Sequence, residues 1–109
     1  MVYDETLARR VRQVLNRRKG VNEKKMFGGL CFLLNGNMCC GVESTLLVLR
    51  LGDDAVEQAL QQPHTRAMDF TGKPMKSMVY VEPQGTDNPK DLKQWIDQAV
   101  KFVRTLPEK

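Results

Sequence analysis

The chain has 109 residues, a mass of 12.4 kDa, 41% hydrophobic and 28% charged side chains, and a formal net charge of +4. That length suits one domain, 1–109, with one core and no separate catalytic lobe, and such a domain buries roughly two-thirds of the surface its unfolded chain exposes. No apolar run approaches the roughly 18 residues that a membrane-spanning helix requires, which excludes a helical membrane protein and predicts a soluble one.

The N-terminus, MVYDETLARR, carries acids where a secretory signal has its positive region, so a cytoplasmic location is expected. Three cysteines are an odd number and too few for a disulfide scaffold, which fits a reducing compartment. The positive charge is concentrated early. Residues 1–25 hold eight basic and three acidic side chains, against nine basic and ten acidic in the remainder.

From Asp4 to about Lys19, Leu7, Val11, Val14 and Leu15 fall on one face of an amphipathic helix. Asp4 and Glu5 suit its positive end, and Gly20 offers a stop. Met26 to Leu34 and Asn37 to Val42 then flank Asn35-Gly36, the preferred pair for a two-residue type I′ hairpin. Strict alternation from that turn sets Leu33 opposite Met38, Phe32 opposite Cys39 and Cys31 opposite Cys40. Both faces of the hairpin are apolar. Leu46 to Leu51 reads as a third strand of an antiparallel meander, followed by a helix from an Asp53 cap to about Gln61 with Val56, Ala59 and Leu60 buried. Pro63 closes that helix. Thr65 to Gly72 and Met78 to Glu82 read as two further strands. Asn88 caps a last helix with Pro89 in its first turn, and Leu92, Trp95, Ile96, Ala99, Val103 and Leu106 follow helical spacing. The order α-β(3)-α-β(2)-α, with helices to one side of an antiparallel sheet, predicts a two-layer α+β fold.

The segments KMFGGLCFLLNGNMCCGV (Lys25 to Val42) and MDFTGKPMK (Met68 to Lys76), at this spacing, resemble the TfoX N-terminal domain family. The similarity runs from the first helix to the Trp95 helix. It implies an α-β(3)-α-β(2)-α fold like that of the secretion-chaperone group and a link to the TfoX/Sxy regulators of natural competence. Those regulators carry a second, helical domain, and this chain reads as a stand-alone first domain. The resemblance supplies no catalytic residue set, and Ser77 stands where many relatives have Gly.

Candidate chemistry is sparse. Direct opposition would place Cys31 and Cys40 within disulfide range as a redox pair, although two small buried hydrophobes is the simpler reading in a reducing compartment. Cys31, Cys39, Cys40 and His64 lack the spacing of a zinc site, so no metal and no cofactor is expected. Gly28-Gly29 precedes a strand, not a helix, and reads as a bulge or close backbone approach. Arg9, Arg10, Arg17, Lys24 and Lys25 form a candidate nucleic-acid patch, and Lys73 and Lys76 a candidate anion contact beside a turn. Met75 and Met78 are candidates for lining a partner groove. Three helices look too few to cover both apolar sheet faces, so a homodimer or a protein partner is expected. The leading expectation is a small non-enzymatic regulatory or protein-interaction module, with a nucleic-acid-binding accessory protein as the alternative.

Overall fold

The computed structural model describes residues 3–16, 18–26, 29–70 and 73–107, with the backbone alone at residues 26, 68–70 and 73–76. Its elements follow the order α1 (Glu5–Leu15), β1 (Val21–Met26), β2 (Gly29–Leu34), β3 (Asn37–Glu43), β4 (Leu46–Arg50), α2 (Asp53–Leu60), β5 (Thr65–Phe70), β6 (Lys73–Val81) and α3 (Pro89–Val103). The strands form one antiparallel sheet in the order β1-β2-β3-β4-β6-β5. The fold is α+β, as expected, with six strands where the sequence pattern predicted five.

The extra strand is β1, VNEKKM, at the edge of the sheet. Among its described side chains Val21 packs on the core, while Asn22, Glu23, Lys24 and Lys25 are exposed. Charged side chains are what an edge strand carries to resist pairing with a second sheet, and they hide the apolar alternation that identifies inner strands. For the same reason α1 stops at Leu15, not Lys19. The polar run after Leu15 offers α1 nothing further to pack, and Gly20, at φ +81°, turns the chain into β1.

Helix caps follow the sequence closely at two ends. The Asp4 carboxylate accepts from the Thr6 and Leu7 amides, and the Asn88 side chain accepts from the Lys90 amide at 2.8 Å with Pro89 in the first turn of α3. For α2 the cap position is Gly52, one residue before the expected Asp53.

One face of the sheet packs on all three helices. Leu7, Val11 and Leu15 of α1, Val56 and Ala59 of α2, and Leu92, Ile96, Val100 and Val103 of α3 share a core with alternate sheet residues such as Phe32, Leu47, Leu49, Val79 and Val81. Each fully buried large apolar side chain contributes roughly 1.5–3 kcal/mol relative to exposure. Leu60 departs from its expected burial and is 38% exposed, because the helix turns it away from β6 while Val56 and Ala59 face inward.

The Asn35-Gly36 turn forms as predicted, with φ of 53° and 83°. The register beyond it does not hold. Leu33 pairs with Met38, but Phe32 pairs with Cys40 and Cys31 with Gly41, because Cys39 is the extra residue of a β-bulge. The bulge turns both Cys39 and Cys40 to the helix-covered core. Gly41 is required beside it, since a Cβ there would lie 2.7 Å from the Leu30 carbonyl oxygen. At Gly29 a Cβ would lie 2.5 Å from the Val42 carbonyl oxygen, the close backbone approach expected there. Strand β6 begins at Lys73, earlier than the expected Met78. Pro74 is tolerated because that part of β6 pairs with β5 alone.

Candidate functional site

Side chains that alternate with the core residues point to the helix-free face of the sheet. Val48 and Met78 form a small second cluster there, flanked by Met38 and Tyr80, to which no helix contributes. Leu33 and Leu46 are half-buried on the same face. Polar groups frame this strip. The Tyr80 hydroxyl donates to Glu43 at 3.0 Å, the Arg66 guanidinium lies 5.9 Å from the centre of the Tyr80 ring, and Arg50 reaches the Met38 carbonyl at 3.5 Å. Glu43, Arg50, Arg66 and Lys24 thus place both charge signs around an apolar centre. Met78 joins this strip as expected, whereas the Met75 side chain lies outside the described residues.

Among the described residues, the candidate nucleic-acid residues are spread over α1 and both faces of β1. Arg10 donates to the Thr86 and Asp87 carbonyls and clamps the turn before α3. Arg9 is exposed on α1, Arg17 lies outside the described residues, and Lys24 and Lys25 point to opposite faces of β1, beside Cys31 and Leu30 respectively. Neighbouring cations are engaged as well, Arg12 with Glu23 at 2.8 Å and Arg18 with Asp97. The side chains of Lys73 and Lys76, the candidate anion contacts, also lie outside the described residues.

All three cysteines are free and buried. The bulge removes the direct opposition of Cys31 and Cys40, and strand alternation sends their side chains to opposite faces. Cys40 donates a hydrogen bond to Cys39, and that bond together with complete burial pushes the Cys40 thiol well above its ordinary value. Burial, with the Cys39 charge beside it, also raises Cys31. A raised folded-state pKa stabilises the protein below the unfolded value and is lost as pH rises. Once the pH passes about 8.5, unfolded thiols ionise while Cys40 keeps its proton, so the unfolded state binds fewer protons and stability falls. Denaturant titrations from neutral to alkaline pH should show a shallower fall for Cys40→Ala than for the native chain. Equal slopes would contradict the assignment.

His64 lies in the loop after α2, exposed, with φ of 67°, and Thr65 Oγ1 donates to the Ala59 and Gln62 carbonyls beside it. Among the described residues no three His, Cys, Asp or Glu side chains are grouped to hold a metal ion. Among the described residues no helix is long and apolar enough to cross a membrane.

A helix-layered six-stranded antiparallel sheet, with one face covered and the other free of helices among the described residues, defines a small α+β domain. The chain belongs to the TfoX N-terminal domain family, whose sequence model matches residues 13–103. No curated protein and no solved structure matches it.

Proposed function

We propose that this chain is a small non-enzymatic regulatory module of the cytoplasm that acts through protein–protein contact, with its helix-free sheet face joined to that of a second copy. A place in transcriptional or competence regulation is the role in keeping with its family. The observation that carries the reading is the segregation of all three helices to one face, which leaves on the other an apolar strip with Val48 and Met78 buried at its centre and Leu33, Met38 and Leu46 half-exposed around them. Sheets pack face to face at about 10 Å, with interdigitating apolar side chains.

The second copy is favoured as occupant by charge. In a two-fold interface each patch meets itself, so an acid and several bases around one apolar centre can pair reciprocally. Glu43 on one side of the strip and Arg50, Arg66 and Lys24 around it supply that pattern. The burial of all three thiols accords with a non-enzymatic role, since a nucleophilic cysteine needs an accessible thiolate.

Co-purification of tagged and untagged copies tests the contact. The untagged chain should co-purify with the tagged one, and Leu33→Lys, on the helix-free face, should abolish this while leaving the fold intact. Retention of the partner by a folded Leu33→Lys chain would overturn the reading.

A further inference from the structure

On the helix-covered side of the molecule, residues of α2 and α3 line a groove of about 540 Å³. That volume lies within the range of small-molecule sites. Gln58 on α2 and Gln62 in the turn just past its end line one side, Gln94 and Gln98, one turn apart on α3, line the other, and Gln84 closes one end. Five of the chain's seven glutamines therefore converge here from three separate elements. Trp95, the one tryptophan in the sequence, is half-buried, packs against the core on one side and lines the groove between Gln94 and Gln98.

What is missing from the walls is equally specific. The sequence carries 17 lysines and arginines, and among the described residues none lines the groove, where Asp91 is the one formally charged wall residue. Exposed helix positions are ordinarily filled with charged residues, so walls of neutral amides facing one another are a departure from the rest of this surface. The end near His64 is also tightly built. Gly85 allows the His64 loop to approach, since a Cβ there would lie 2.6 Å from Val81 Cγ1 and 3.2 Å from His64 Cβ, and His64 itself adopts positive φ. Backbone in that region is uncommon outside glycine and concentrates at binding sites.

Each amide offers an acceptor oxygen and two donor hydrogens, which suits a ligand rim of alternating donors and acceptors. An indole face suits a ring that stacks. With Asp91 present and no cation, a phosphate or carboxylate would be repelled. We propose that the α2–α3 groove is a binding site for an uncharged ring rimmed with hydrogen-bonding groups, stacked on Trp95 and held by the facing glutamines. A nucleoside and a neutral saccharide share this chemistry.

The lone indole provides the readout, because Trp95 Nε1–H gives one cross-peak in a proton–nitrogen correlation spectrum. Titration of the full chain with nucleosides in one arm and neutral mono- and disaccharides in the other should shift that peak saturably in one arm, which identifies the source. The corresponding nucleotide or sugar phosphate should bind more weakly. The double variant Gln94→Ala/Gln98→Ala should lower affinity at least about tenfold, as expected for the loss of one or two hydrogen bonds. Both positions are exposed, so the fold should persist, and an unchanged spectrum elsewhere verifies it. Absence of a saturable shift in both arms, equal binding of the phosphorylated form, or undiminished affinity in the folded double variant would each overturn the proposal.

Discussion

Phe32→Ala is expected to destabilise the domain by about 3–5 kcal/mol, the range for deleting a large aromatic side chain from a core that cannot collapse around the gap. Phe32 is 1% exposed and lies in the middle of β2, on the face packed by the helices. At about 4–8 °C per kcal/mol for a domain near this size, the melting temperature should fall by tens of degrees, or the variant should fail to fold at 37 °C. The adjacent Leu33 is the internal control. It faces the helix-free side and is half-buried, so Leu33→Ala should cost about 1 kcal/mol, the centre of the distribution for point substitutions. Equal losses at the two positions, read by chemical denaturation, would show that the faces are assigned wrongly.

Gly52→Ala should be the second large effect. Gly52 joins β4 to α2 with φ 86° and ψ 156°, a region reserved almost wholly for glycine, and forcing another residue into it costs roughly 1–3 kcal/mol. A Cβ there would also lie 2.5 Å from the Phe102 ring of α3. The substitution therefore strains the start of α2 and pushes α2 and α3 apart. Denaturation should report a loss of about 2 kcal/mol or more, given the backbone cost and the displaced ring. A Gly52→Ala chain as stable as the native one would contradict the positive φ.

The helices were the most legible part of this fold. Asn88-Pro89 announces α3 because a cap and a proline have one physical use at a helix start, and Leu92, Ile96, Ala99 and Val103 keep the helical period to its end. The hairpin turn was legible because Asn35 and Gly36 tolerate positive φ. Pairing beyond the turn was not, because alternation carries no mark of an inserted residue. The signal was Gly41, a glycine inside a strand pattern, where a side chain would strike the Leu30 carbonyl. β1 escaped because edge position selects for Glu23, Lys24 and Lys25 in place of apolar alternation.

The surfaces were harder still. The basic character of residues 1–25 was evident, but nothing in a linear sequence shows that Arg10 reaches carbonyls at Thr86 and Asp87 or that Arg18 meets Asp97. The groove glutamines occupy positions 58, 62, 84, 94 and 98, and only the packing of α2 beside α3 makes them neighbours. The helix-free strip, by contrast, followed from the pattern: an apolar hairpin on both faces with helices enough for one.

The proposed pairing of that strip with a second copy is what sedimentation velocity tests most directly. Across a concentration series reaching high micromolar, the native chain should sediment with the mass of a dimer, and Leu33→Lys should sediment as a folded monomer. A native chain that remains a monomer at the highest concentration would contradict the account.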